Sequence, residues 1–486
     1  MLYKHNKMAV ILIGFVLLGS LARAQDTNSG SQKPLQPISP LGPDKTVGGP
    51  VQASGDSSAG GEVETIPDSH PLAGAQELTL GSPAFGRGFL LPSFSAVTNV
   101  STNPFIVTTS SHPATLSTSF FAGRLGVNRV SGRSELLLDY VSGGSFSNDP
   151  LLGNSLIQGL EATETIRTGR WATLFGDQLS YLSNSLFGSG GLGGMKNLGT
   201  SLGNGVGSNP GLSSRFAPVE SFYLLGMPRI NNTAIGQTTY SLTHRAMLTF
   251  VGSYSLLDFR NAPLQNSQTA SYQVGYDYLL SRQNSISVFY RYDDFHFSNL
   301  TQGIRDHNIE AAFARRLTGR LSFQIGGGPS IYQYQNPLSG SGTETGPTIF
   351  AALKYQLRYT GFGFNYTHGL TNGGGILPGA KTDSFTGTTT RSLGRNWDVS
   401  LDGGYSRNQA VQQTLVNAFG ISPSTWFVTT QVKRRFVAYG ALFVSYNATG
   451  QSNLAPICNL PGCMISSSAH TVSLGYTWGL RPRVLE

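Results

Sequence analysis

The 486-residue chain has 33 Lys and Arg against 25 Asp and Glu, a formal charge of +8, yet only 12% of its residues are charged, while 10% are aromatic and 61 are Gly. Few charges with many aromatics and glycines is unusual for a soluble globular domain and suits a surface that faces lipid. The basic excess does not read as nucleic-acid binding, because the bases gather at one set of turns, and acids such as Asp149, Asp177, Glu220, Asp258, Asp294, Asp306, Glu344 and Asp383 lie toward the other.

Residues 1–24 have the layout of a secretory signal peptide. Lys4, His5 and Lys7 form a basic start, Ala9 to Leu21 an apolar core, and Ala22-Arg23-Ala24 a small-x-small cleavage site that would leave Gln25 as the mature N-terminus. The alternative is an uncleaved anchor, for which the apolar run is short. No Cys follows the run, so a lipoprotein anchor is excluded. Residues 25–91 are rich in Pro, Gly, Ser and Asp and lack apolar periodicity, as in Leu35-Gln-Pro-Ile-Ser-Pro-Leu-Gly-Pro43. Such a segment buries too little apolar surface to offset its ordering entropy and reads as a disordered linker, either a spacer or a periplasmic tether.

From residue 92 to 479 the apolar period becomes two. In His470-Thr-Val-Ser-Leu-Gly-Tyr-Thr-Trp478, the residues Val472, Leu474, Tyr476 and Trp478 point one way, and Thr471, Ser473, Gly475 and Thr477 the other. The pattern predicts about 18 antiparallel strands, the first near 92–103 and the last near 468–479, with one near 233–243 and another near 347–359. An even count leaves both termini on one side and lets a single-chain barrel close. About half of the Lys and Arg residues sit in alternate, tight connections, among them Arg129 and Arg133, Arg245, Arg282, Arg358 and Arg434.

Three of these connections repeat one motif: Ile166-Arg-Thr-Gly-Arg-Trp171, Arg316-Leu-Thr-Gly-Arg-Leu321 and Arg391-Ser-Leu-Gly-Arg-Asn-Trp397. Gly supplies the positive φ of a hairpin turn, and the next residue or two opens a strand. Trp171, Trp397 and Trp478 all fall at this tight-turn rim, as an interfacial girdle would, while Tyr290, Tyr292, Phe295 and Phe297 crowd the other end.

On this hairpin rhythm and the C-terminal strand ending at Trp478, the chain resembles the outer-membrane β-barrel superfamily, porin-like in size, and more narrowly the acidobacterial-type outer-membrane barrels. The resemblance covers residues 92–479. It implies an all-β, up-and-down transmembrane barrel of about 18 strands in the bacterial outer membrane, with the tight turns toward the periplasm. It also implies contact with outer-membrane lipid and a last strand read by the barrel-assembly machinery. The sequence departs at two places: residues 479–486 follow the terminal aromatic, and Ser473 stands where a Gly is usual.

No catalytic constellation and no cofactor motif emerges. His296 and His307 flank a short connection beside Asp293, Asp294 and Asp306, which could hold a divalent cation or be a solvated loop; His244-Arg245 reads as a structural turn. Cys458 and Cys463, in Cys-Asn-Leu-Pro-Gly-Cys, flank a Pro-Gly turn; in an exported chain a small disulfide loop is expected, with a two-thiol metal site as the alternative. Alternation assigns Arg124, Asp139, Asp277, Arg291, Asp293, Glu310, Lys354, Asp398, Asp402 and Lys433 to the lumen, where they would line a pore or a salt-bridged plug. Residues 184–232 form the longest connection, Gly/Ser-rich, either folded inward or external. The leading functional expectation is passive diffusion of small polar solutes, with a non-conducting adhesin or envelope-anchoring barrel as the alternative and a soluble secreted β-sandwich or solenoid as a third reading. Homo-oligomerisation stays open.

Overall fold

The structure, a computed structural model, describes residues 71–76, 88–102, 115–148, 153–182, 214–216, 228–260, 265–298, 303–318, 320–336, 340–375, 377–411, 422–437, 440–452, 466–480 and 483–485. The strands in chain order are β1 (Gly88–Thr102), β2 (Thr115–Ser131), β3 (Ser134–Ser147), β4 (Ser155–Thr168), β5 (Trp171–Leu182), β6 (Arg229–Ser241) and β7 (Ala246–Phe259). They continue with β8 (Ser267–Leu279), β9 (Asn284–Phe297), β10 (Gly303–Thr318), β11 (Leu321–Asn336), β12 (Gly340–Gln356) and β13 (Thr360–Thr371). The last are β14 (Ala380–Leu393), β15 (Trp397–Ala410), β16 (Ser424–Val437), β17 (Gly440–Ser452), β18 (Ser466–Gly479) and a short β19 (Arg483–Leu485).

Each strand from β1 to β18 pairs antiparallel with its sequence neighbour, and β1 closes the ring on β18 through a register from Ser93↔Gly479 to Thr102↔His470. The fold is an 18-stranded, closed up-and-down barrel with no open edge. The far end carries the long connections, with a short one only between Asn336 of β11 and Gly340 of β12, whereas every connection from β2–β3 to β16–β17 at the end where β1 begins and β18 ends is tight. Gly132, Gly169 and Gly394 take φ of 52°, 57° and 71° there, so the turn motif read from the sequence has its physical cause. Gly319, of the second repeat, lies outside the described residues.

The two faces of the wall are chemically opposite. Leu125, Phe250, Val288, Ile325, Leu401, Val444 and Leu474 are exposed on the outside, while Ser95, Thr118, Gln237, Thr249, Ser271 and Ser445 are buried on the inside. A soluble fold hides its apolar face in a core. Here that face is turned outward around a polar interior, as lipid requires. The chain is therefore a membrane-type β-barrel rather than a soluble sandwich or solenoid. All four Trp side chains, Trp171, Trp397, Trp426 and Trp478, face outward. Trp426 belongs to the far rim, because it is the third residue of a strand that starts there.

The structure extends or corrects several expectations. The first strand begins at Gly88 rather than 92, and Pro71 to Gln76 are placed inside the barrel, so the stretch 25–91 is not unstructured throughout. Beyond Trp478 the tail does not simply trail away: β19 pairs with β1 (Gly88↔Leu485, Leu90↔Arg483) and lengthens the closing seam. The strands predicted near 233–243 and 347–359 start earlier, at Arg229 and Gly340. The Gly/Ser/Thr run from Gly340 to Gly346 pairs with β11 but has no apolar alternation, and for that reason it read as a loop. Phe295 and Phe297 lie at the far end, but unlike Tyr290 and Tyr292 they do not face outward. They point inward and pack with Ile304, Tyr332 and Val411.

Candidate functional site

All ten residues assigned to the lumen from the sequence sit at inward positions: Arg124 on β2, Asp139 on β3, Asp277 on β8, Arg291 and Asp293 on β9, Glu310 on β10, Lys354 on β12, Asp398 and Asp402 on β15, and Lys433 on β16. They do not form one cluster. Arg124 pairs with Asp139, its Nε 2.6 Å from Oδ1. Near the tight-turn end, Arg435 grips Asp398 with two nitrogens at 2.8 and 3.1 Å.

The densest group lies on β9 and β10. Arg291 Nε donates to Asp293 at 2.8 Å, and its Nη2 stands 3.8 Å from Glu310. Across the ladder, Asp306 faces Asp293 and accepts hydrogen bonds from Asn308 at 2.9 Å and from Ser330. Arg291 and Glu310 are 6% and 1% exposed, so this network is shielded from bulk water. The described part of the connection between β5 and β6 lies against it. Its 3-10 turn Ser214–Phe216 places Arg215 against Glu310, with the guanidinium carbon 4.2 Å from the Phe350 ring centre and 5.5 Å from that of Phe289. Burial is the largest influence on Arg215 and lowers its pKa to about 10 against the pull of Glu310, so it remains charged at neutral pH. Phe216 packs with Leu174, Ile235 and Val251. At least this part of the connection is folded inward.

A second insert shares that wall. Pro71 to Gln76 makes a turn, Gly74 N–H to Pro71 C=O at 3.0 Å, and inserts Ala73 and Ala75, both wholly buried. Ala73 packs on Phe289, Ala312 and Phe350, and Ala75 joins the apolar group of Phe216. No sequence signal marked either insert, since neither Pro-Leu-Ala-Gly-Ala-Gln nor Ser-Arg-Phe has a usable period.

Among the described residues, neither insert packs against the wall from β13 to β16. Lys354, Gly363, Thr388, Asp402 and Thr429 lie in one inward row across β12 to β16. Thr388 and Thr390 are exposed although they point into the barrel, in contrast to the buried Thr233, Gln237, Thr249 and Gln273 of β6 to β8. The lumen is thus filled on one side and lined by accessible hydroxyls on the other.

The cation site considered around His296 and His307 does not assemble. Strand alternation sends Asp293 and Asp306 inward and His296, His307 and Asp294 outward, where His307 bonds Tyr290 at 2.7 Å. Among the described residues no group of three or more His, Cys, Asp and Glu is arranged to hold a metal. Cys458 and Cys463 lie outside the described residues, as do residues 1–24.

The chain is similar in structure to OccK2 (OpdF) of Pseudomonas aeruginosa, solved in complex with glucuronate, at 11% identity and a TM-score of 0.41 over 80% of this chain and 98% of that one. It is likewise similar to the outer membrane protein OpdK of the same organism (9% identity, TM-score 0.40, 80% and 99% covered). A further similar structure is P. aeruginosa OpdQ (11% identity, TM-score 0.39, 81% and 99% covered). No family model matches the sequence, and no curated protein matches it.

Proposed function

We propose that this barrel is an outer-membrane channel for passive diffusion of small polar solutes. The observation that carries the reading is the accessible inner wall of β12 to β15, where Thr388 and Thr390 are exposed inside the barrel and share it with Lys354, Ser400 and Asp402. Hydroxyls with charges of both signs replace part of a solute's hydration shell without strong preference for cations or anions. In planar bilayers the purified protein should give discrete, weakly ion-selective conductance steps. Thr388→Trp, which places an indole on that wall, should lower the step size clearly. Folded protein that never conducts would remove the channel reading and favour a surface or anchoring barrel, for which the two inserts on the β5 to β12 wall are the supporting observation.

The proposal includes export directed by residues 1–24, insertion by the barrel-assembly machinery, a disulfide between Cys458 and Cys463, and an orientation with the Arg-bearing turns in the periplasm. In that orientation a protease added to intact cells should cut between β5 and β6 and spare the turns. Cleavage at Arg170 or Arg320 from outside would reverse the topology.

A further inference from the structure

We infer that the inner face of β8, through Gln273, Gly275 and Asp277, is a peptide-backbone binding site whose resident occupant is the chain's own Pro71–Gln76 segment, and that this tethered occupant narrows the passage. The inference rests on the channel reading for its second half only.

Residues 273, 275 and 277 alternate onto one face of a strand, inward, with a side-chain-free position in the middle. Asp277 Oδ1 accepts the Ala73 N–H at 3.0 Å, and Gln273 Nε2 donates to the Ala73 C=O at 2.8 Å, so the two polar side chains read both backbone groups of a single residue. The Ala73 methyl sits over Gly275, where a Cβ would overlap it. On β6, Gln237 accepts the Ala75 N–H at 2.7 Å. Thr249 donates to the second Asp277 oxygen at 2.9 Å and holds the carboxylate in place.

These contacts recognise backbone amides, not side chains. The side-chain spaces admit a methyl group or nothing: Ala73 is enclosed by Phe289, Ala312 and Phe350, and a Cβ on Gly74 would come within 2.9 Å of Gln237 Oε1. The ligand class is therefore a short, uncharged peptide of small residues. Gln273 Oε1 is buried and has no partner, so the site offers one acceptor that the resident segment does not use. A loose segment trapped by chance would not match two acceptors and one donor to successive backbone groups.

Four proteins test this: the full chain, a form lacking residues 71–76, Gly275→Val, whose side chain occupies the space of the Ala73 methyl, and Gly275→Val in the deleted form. Heat-shifted mobility in detergent gels confirms that each barrel is folded. The capped hexapeptide acetyl-Pro-Leu-Ala-Gly-Ala-Gln-amide is added with a fluorophore for anisotropy and without one for bilayer recording. The deleted form should bind the peptide at least tenfold more tightly than the full chain does, and Gly275→Val in the deleted background should abolish binding. Single-channel conductance should rise at least twofold on deletion, rise similarly in Gly275→Val, and fall back when the peptide is added to the deleted form. No peptide binding by the folded, deleted barrel would overturn the site. Binding with unchanged conductance in channels that do conduct would overturn the occlusion. Binding without conductance in any form would leave the site standing and remove the channel reading.

Discussion

Leu401→Arg is expected to destabilise the barrel by about 2–4 kcal/mol, the range for a cation on the lipid face near mid-bilayer, whereas Thr388→Arg changes its stability little. Leu401 lies on β15, outward and 48% exposed in the protein alone, so lipid supplies its surroundings. Thr388 is at nearly the same height on the neighbouring strand, directly opposite Asp402, and points inward. An Arg there reaches water and an acidic neighbour. An Arg at 401 must snorkel or drag water into hydrocarbon. Because depth, strand pairing and introduced side chain are matched, the difference isolates the medium each face meets. Unfolding titrations in lipid vesicles measure it. Equal tolerance of both changes would mean that the outer face is not in lipid, and the membrane-barrel reading would lose its support.

The same comparison cannot be drawn at Leu474 and Ser473, the neighbours that alternation alone would choose. Leu474 does face outward, 54% exposed, and Ser473 inward. Yet Ser473 is only 6% exposed, on a part of the inner wall where Val97, Phe120, Ala122, Val141, Ile157 and Phe443 make an apolar cluster. A period of two tells which side a residue faces. It does not tell what fills the space on that side.

This difference marks what was legible in the sequence. Strand number, turn positions and the inward set from Arg124 to Lys433 follow from local alternation and from Gly-Arg turns, both of which are properties of adjacent residues. What escaped were contacts made by segments lacking a period: Arg215 on Glu310 and Ala73 on Asp277. Asp277 could be placed inside the barrel from its strand, but its partner is 204 positions earlier in a stretch that reads as linker. The His296 and His307 group failed for the opposite reason. Proximity in sequence suggested a cluster that the pleat divides between two faces.

The largest effect inside the lumen is expected at Arg291. Arg291→Met should cost about 3–5 kcal/mol, the usual penalty for leaving buried charge without its counter-ion. Its guanidinium is the nearest positive group to Asp293 and also approaches Glu310, on a wall sealed by the Ser214–Phe216 turn and by Ala73. Without it, Asp293 loses the arginine it is bonded to, beside Asp306 and Glu310, while Arg215 bonds Glu310. The control is another lysine or arginine whose pair is wet. Lys381 bonds Glu344 at 3.0 Å with both side chains more than a third exposed, so Lys381→Met should cost no more than about 1 kcal/mol. Adding Asp293→Asn to Arg291→Met should recover part of the loss, because it removes one of the stranded charges, and the double-mutant cycle then gives the coupling directly. Unfolding titrations of the five proteins, namely the unchanged chain, Arg291→Met, Asp293→Asn, their double variant and Lys381→Met, decide the matter. If Arg291→Met costs no more than Lys381→Met, the cluster is open to water, and the inserts on the β5 to β12 wall do not seal that side of the lumen.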